Sequence, residues 1–422
     1  MRGRRDPGRE PRPLPTINPA RLIGDLQQLR RFGAHGDGVV RLALSAIDVE
    51  SRRWLVQRMN EARLDARIDG VGSVFGRSRK PGPALVIGSH TDTQPTGGWL
   101  DGAMGVIFGL EIARAFAESN DTAGLAVDVA SWMDEEGTFS GFLGSRSFIG
   151  EDVEEAIAGA TNREGQRLSD VLQAAGIAGA PRARFEPGRH VAYLEPHIEQ
   201  GGRLEAEGKK IGVVTTIVGI REMRVTFLGQ RNHAGTTPMA IRKDAGAALI
   251  AFAQRLDAAF RAIARSETVW TIGRIDLDPG SLSIVPGKAE MLLQFRDADP
   301  AILVRMEAAL ADLVAAADRA GPVRVSLADA DLPVEPTAMD VRLQEHVAAA
   351  AEAEAPGQWI RMPSGAGHDA QVIAQRLPCA MLFVPSIGGV SHDFTEDTST
   401  DDIVLGCRVA AAAALSILRS HA

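Results

Sequence analysis

ALVIGSHTDTQPTGGWLDGAMGVIFGLEIARAFAES, residues 84–119, decides the fold. ALVIGS (84–89) is a short apolar run without alternation, the pattern of a parallel strand buried on both faces. A turn-rich stretch follows, and GVIFGLEIARAFAES (105–119) then repeats apolar residues at helical spacing. Working outward, LAVDVASWM (125–133), VAYLEPHI from Val191 and CAMLFVP (379–385) read as further buried strands. PARLIGDLQQLRRFG (19–33), VESRRWLVQRMNEAR (49–63) and a closing DDIVLGCRVAAAAALSILRS (401–420) read as helices. Strands alternating with helices predict an α/β layer with a mostly parallel sheet.

The middle of the chain differs. IGVVTTIV (211–218), EMRVTFLG (222–229), TVWTIGRI (268–275), KAEMLLQF (288–295) and PVRVSLA (322–328) read as strands. A helix from about Met239 to Ala264 and another over ILVRMEAALADLVAAAD (302–318) separate them. Few long helices among clustered strands suit a small α+β domain with helices on one face of an antiparallel sheet. The expected organisation is a tail over residues 1–18, one α/β domain over 19–211 and 329–422, and an α+β insert over 212–328.

Composition narrows the function classes. The 422 residues carry 46 Lys+Arg against 54 Asp+Glu, a net charge of −8, with no long basic stripe. That argues against a nucleic-acid partner. Two cysteines cannot form a disulfide framework and suggest a reducing compartment. No stretch reads as the ~18 apolar residues of a membrane span, so no membrane partner is expected. The arginines of MRGRRDPGREPRPLP have no apolar core behind them, unlike a secretory signal, and the prolines among them predict a disordered tail. A cytoplasmic protein is expected.

Polar residues cluster where strands end, the place where open α/β sheets bind ligands. His90 follows ALVIGS, and Asp101 lies eleven residues on, just before a helix. Asp134, Glu135 and Glu136 end LAVDVASWM, His197 ends VAYLEPH, and His392 follows CAMLFVP in GGVSHD. Each has a plain alternative: a structural histidine, a solvated Glu–Glu turn, an Asp–Gly turn. Their joint placement favours a metal site of nitrogen and carboxylate ligands, suited to zinc, manganese, cobalt or nickel.

Six segments resemble one family. They are GSHTDTQPTGGWLDGAMGV (88–106), DEEGTF (134–139), LEPHIEQGGRLEAEG (194–208), NHAGTTPMAIRKDA (232–245), SGAGHDA (364–370) and GGVSHDFTED (388–397). In order and content they resemble the hydantoinase/carbamoylase branch of the metal-dependent aminoacylase and carboxypeptidase superfamily. HIEQG and NHAGTTPM mark this branch against its peptidase relatives.

The resemblance implies a catalytic domain interrupted by a lid and dimerisation domain, and two divalent metal ions per subunit. Asp101 would bridge them, His90 and His197 completing one site and Glu136 and His392 the other. Asp92 would fix an imidazole tautomer from behind the ligands. Glu135 would be the general base, and His233, from the insert, would stabilise the anion that develops on the attacked carbonyl. The plain reading of His233 is a cap on the helix after Thr237. Gln200, His368 and Arg296 would contact substrate, Arg296 gripping a carboxylate in the manner of a bidentate guanidinium. Its plain reading is an ion pair with Asp297. One position departs from the family: GSLSIVPG (280–287) has Ser283 where an asparagine is usual, so the hydrogen bonds around the substrate must differ.

The expected function is a binuclear amidohydrolase cleaving the carbamoyl C–N bond of N-carbamoyl-L-amino acids, releasing ammonia and carbon dioxide, as a homodimer. Allantoate, ureidoglycolate and 3-ureidopropionate are alternative substrates. An aminopeptidase or N-acyl-amino-acid deacylase is a more distant reading, because those relatives generally place a carboxylate at His197. A catalytically silent binding protein is disfavoured by the presence of Glu135.

Overall fold

The structure, a computed structural model, describes residues 15–421. The chain divides into two compact units. One comprises Met1–Thr215, Met339–Met362 and Gly367–Ala422; the other comprises Thr216–Ala338 and Pro363–Ala366.

The first unit begins with α1 (Pro19–Arg30), which has Pro19 in its first turn and an Asn18 side chain accepting the Arg21 N–H at 3.1 Å. After α2 (Ala46–Glu61) come the hairpin strands β1 (Leu64–Ile68) and β2 (Val74–Ser78), then β3 (Ala84–His90), α3 (Ala103–Glu118) and β4 (Ala126–Trp132). Three short helices within residues 143–174 precede β5 (His190–Ile198) and β6 (Ile211–Ile217). The second unit contains β7 (Gly219–Leu228), α4 (Ala245–Ile263), β8 (Val269–Asp278), β9 (Lys288–Asp297), α5 (Pro300–Ala320) and β10 (Arg324–Asp329). The chain then returns through α6 (Val341–Glu354), β11 (Cys379–Val384) and α7 (Thr400–Ser420).

The large nine-stranded sheet includes the run β6-β11-β5-β3-β4-β2-β1, and the strands Thr337–Ala338 and Trp359–Ser364 also pair with β6. Its central four strands, β11, β5, β3 and β4, are parallel, and β6, β2 and β1 join with antiparallel pairings. This is a mixed α/β fold with a mostly parallel sheet. Every residue of β3, β4 and β11 is buried, which is why their sequences run apolar without alternation. α3 and α7 pack against this sheet and against each other.

The second unit is a four-stranded antiparallel sheet in the order β8-β9-β7-β10. Its strands β7 and β9 do alternate, burying Met223, Val225 and Phe227, and Met291, Leu293 and Phe295, against α4 and α5. One face is packed and the other is free, so the period of two appears.

Four expectations need correction. Residues 1–14 of the expected tail lie outside the described residues, whereas Pro15 and Ile17 are buried. The Asn18 N–H donates to Glu111 at 2.7 Å. IGVVTTIV belongs to the large sheet rather than the insert, because Val213 pairs with Leu382 of β11; the first unit extends to Thr215 and resumes at Met339. The helix expected from Met239 begins at Ala245, where the Asp244 side chain caps the Ala247 N–H. Met239–Ile241 forms only a 3-10 turn. Lastly, α7 is long and apolar enough by length and composition to cross a membrane, but 67% of its apolar window is buried within the protein. Its alanines pack the core beside α3 and α6.

Phe295 is fully buried, with its ring 5.2 Å from that of Phe260. Phe295→Ala is expected to destabilise the second unit by about 3–5 kcal/mol, measured as an earlier urea transition.

Candidate metal centre and active site

Parallel strands bring their carboxyl ends to one edge of a sheet. His90 is the last residue of β3 and pairs in register with Trp132, the last of β4. Asp134–Glu136 therefore leave β4 beside His90. His197, next to last in β5, pairs with Phe383 of β11, beyond which the chain runs on to His392. Asp101 stands just before α3, on the turn that returns from β3.

The result is two ligand groups that share one residue. His90, Asp101 and His197 offer donor atoms within 4.8 Å of one another, and so do Asp101, Glu136 and His392. Asp101 Oδ1 lies 3.3 Å from His197 Nε2, and its Oδ2 lies 3.4 Å from His392 Nε2. His392 Nε2 is 3.8 Å from Glu136 Oε1. Glu135 Oε2 sits 3.6 Å from His90 Nε2.

The imidazoles are oriented from behind. His90 Nδ1–H donates to the Asp92 carbonyl and His197 Nδ1–H to the Ile198 carbonyl, both at 2.9 Å, which leaves each Nε2 directed at Asp101's side of the site. Asp92 thus acts on His90 through its main chain, a correction to the carboxylate contact expected. Its side chain instead accepts the Glu136 N–H at 3.2 Å and faces Arg52 at 3.5 Å. Gly102 has φ +62°, and a Cβ there would fall 2.4 Å from the His90 ring; only glycine lets the turn pass so close.

Gln94, Glu195 and Glu396 lie inside the quoted segments without standing out there as site residues, and Gln200 and His368 join them around the ligands. The Gln94 amide donates to Glu136 Oε2 at 2.7 Å. Glu396 accepts the Asp101 N–H at 3.2 Å and the Ser391 hydroxyl at 2.8 Å, tying the His392 loop to Asp101. Glu195 accepts the Ser89 hydroxyl and the Ala370 N–H, both at 2.7 Å. That bond draws the SGAGHDA segment to β5 and sets the His368 ring 4.6 Å from that of His197. Gln200, at φ +57°, donates to Asp101 Oδ1 at 3.1 Å.

Electrostatically the site is overloaded with acid. Burial, reinforced by Glu136, Asp369 and Asp101, pushes the Glu135 carboxyl well up; burial and Asp101 do the same to Glu136. Burial lifts Asp92 to about 6, and burial with Asp101 lifts Glu396 to about 8. Burial would raise Asp101 too, but the hydrogen bond with His392 and the nearby imidazoles hold it well below the ordinary range. Burial lowers His90 and His197, keeping them neutral, whereas the bond to Asp101 raises His392 to about 9.

These residues fit divalent metal ions. Neutral imidazoles and carboxylates are the donor set such ions take, and among the described residues Glu136 Oε1 is buried without a hydrogen-bond partner. A buried oxygen of that kind calls for a cation.

Three expected substrate residues lie on the second unit. His233 is exposed, and its Nδ1 accepts the N–H groups of Gly235 and Thr236 at 3.0 and 3.1 Å. The ring therefore caps its own turn, not a helix, and carries its proton on Nε2. The Ser283 carbonyl accepts the Ala234 N–H, and Ile284 pairs with His233, so Ser283 adjoins the His233 turn. Arg296 donates to Gln294 Oε1 at 2.8 Å and the Gly365 carbonyl at 2.9 Å. Asp297 turns instead to Arg265 and Thr268.

Parallel strand ends holding imidazoles and carboxylates around a shared aspartate define a metallohydrolase. Comparison with known proteins is specific. Residues 86–416 match the model of peptidase family M20/M25/M40. An N-carbamoyl-L-amino-acid amidohydrolase of Paenarthrobacter aurescens is 32% identical over 402 residues, 92% of this chain and 95% of that one. An allantoate amidohydrolase of Escherichia coli (strain K12) is 33% identical over 396 residues, with the same coverages. The crystal structure of an amidase (hydantoinase/carbamoylase family) from Burkholderia phymatum matches at a TM-score of 0.93 and 62% identity, covering 97% of this chain and all of that one. The chain belongs to peptidase family M20/M25/M40 and, within it, to the hydantoinase/carbamoylase amidases. It is an amidohydrolase of carbon–nitrogen bonds.

His392 must lose its proton before Nε2 can hold a metal ion, and Asp101 keeps that proton on up to about pH 9. Metal affinity is expected to rise with pH and level off above about 9. Zinc or manganese titrated into metal-free protein at pH 7, in buffers of different ionisation enthalpy, should report net proton release; no release would contradict this.

Proposed function

We propose that the enzyme hydrolyses the carbamoyl C–N bond of N-carbamoyl-L-amino acids or closely related ureido acids, using two divalent metal ions per subunit. The observation that carries this reading is the sharing of Asp101 between two ligand groups with Glu135 alongside. The names of the relatives agree with it: they are N-carbamoyl-L-amino-acid and allantoate amidohydrolases. Allantoate, ureidoglycolate and 3-ureidopropionate stay as alternative substrates, ahead of peptides and N-acyl amino acids.

Asp101 would hold both ions, His90 and His197 one, and Glu136 and His392 the other. Such ions, when bound, polarise the scissile carbonyl and acidify water at the site. Burial and the neighbouring carboxylates raise the proton affinity of Glu135, which suits its carboxylate to act as a base. Glu135 accepts the proton of the attacking water as the oxygen bonds to the carbamoyl carbon. His233 donates Nε2–H to the carbonyl oxygen as it becomes negative. The C–N bond then breaks, the leaving nitrogen takes the proton from Glu135, and the carbamate decomposes to ammonia and carbon dioxide. Arg296, without an ion-pair partner of its own among the described residues, would take the substrate carboxylate with Ser283 and Gln200 nearby in role, and His368 would complete the contact set. The second unit would serve as a lid, and the protein would work in the cytoplasm.

Glu135→Gln is expected to retain metal and to lose about 10²–10⁴-fold in rate. A panel of ureido acids and N-acyl amino acids, assayed for ammonia and amine with zinc- or manganese-loaded protein, tests the substrate class. Amine without ammonia would move the enzyme to the deacylases.

A homodimer through the second unit is part of the same reading. Among the described residues β8 ends its sheet with one side unpaired in the strand order, and Val269, Ile275 and Leu277 on it are exposed, as is Ile250 of α4. A ten-residue edge strand with exposed apolar side chains invites pairing with another copy. Ile275→Lys is expected to give a monomer in sedimentation velocity.

A further inference from the structure

Beside the ligand group of Asp101, Glu136 and His392 lies a cavity of about 440 Å³, built wholly from the first unit. That is within the ~300–1,000 Å³ range of small-molecule sites. Gln94 and Glu136 close its inner end, Thr138 and Phe139 form a wall, and Arg163 and Glu164 stand at the far side. Gln94 and Glu136 are hydrogen-bonded to each other at 2.7 Å, so the inner end of the cavity adjoins the ligand group at Glu136.

The far side is preorganised. The Asn162 side chain accepts the Gln166 N–H at 2.9 Å and donates to Gln166 Oε1 at 2.8 Å. The Asn162 N–H donates to the Gln166 carbonyl at 3.1 Å. This locked turn presents Arg163 and Glu164, neither of which has an ion-pair or hydrogen-bond partner among the described residues.

We propose that this cavity is the subsite for the substrate's side chain, and that it selects a neutral arm ending in a carboxamide or ureido group. The inference rests on the ureido-acid reading and specifies which such acid. A carboxylate arm would meet Glu164 and Glu136, and an ammonium arm would meet Arg163. An aliphatic arm would strip water from Arg163 and Glu164 and return no hydrogen bond. A terminal amide satisfies both at once: its carbonyl accepts from the guanidinium and its N–H donates to the carboxylate.

The test compares kcat/KM for N-carbamoyl-L-glutamine, N-carbamoyl-L-methionine and N-carbamoyl-L-glutamate with metal-loaded enzyme. The amide arm is expected to be preferred about tenfold over each of the others. Arg163→Ala and Glu164→Ala should each bring the glutamine-to-methionine ratio close to one, and Glu164→Ala should raise the glutamate substrate relative to methionine. Both residues are on an exposed turn, so folding is not at stake. A wild-type ratio at or below one, or a ratio unmoved in both variants, overturns the subsite while the ureido-acid reading stands. Absence of ammonia from all three substrates, with amine released from N-acyl amino acids, overturns that reading and the subsite with it.

Discussion

The carboxylate of Asp101 is the constraint on which the rest of the catalytic unit depends. Its two oxygens face His197 and His392, it lies among the donor atoms of both ligand groups, and it takes a hydrogen bond from Gln200. Everything around it is arranged to hold a negative charge at one buried point. The turn that carries it must pass against the His90 ring, which Gly102 alone permits. The loop that carries His392 is tied back to it through Glu396.

That concentration of acid is unstable on its own terms. Burial raises Glu135, Glu136 and Glu396, with the charge of Asp101 adding to each, and Asp92 is raised by burial although Arg52 faces it. Isolated buried carboxylates tend to neutralise by taking a proton. Here Glu136 Oε1 has no hydrogen-bond donor among the described residues. Such a site makes physical sense as a receptacle for positive charge, and its pH response follows from protons and metal ions competing for the same atoms.

Much of the architecture was legible because burial writes itself into composition. β3, β4 and β11 are covered on both faces and read as unbroken apolar runs, while β7 and β9 are covered on one and alternate. Where burial is partial the signal weakens. β1, LDARI, has a single fully buried residue, and neither it nor the hairpin it forms stood out in the sequence. The start of α4 depended on which residue capped it, and the structure places that cap at Asp244, beyond the expected start near Met239. β6 is apolar enough for either unit; its pairing with β11 assigned it.

The ligand residues could be picked out from the sequence because each stands at the end of a strand or the start of a helix, and their types limit the chemistry to nitrogen and carboxylate donors. The sequence by itself therefore determined the fold class, the family and the candidate ligands. The resemblance already implied a shared Asp101; only the tertiary structure decided that Asp92 orients His90 through its carbonyl and that Gln94, Glu195 and Glu396 support the site. The reason is physical: apolar patterning and turn chemistry act over a few neighbouring residues and are visible in order, whereas a hydrogen bond between residues 101 and 396 exists only once parallel strands have brought their ends together.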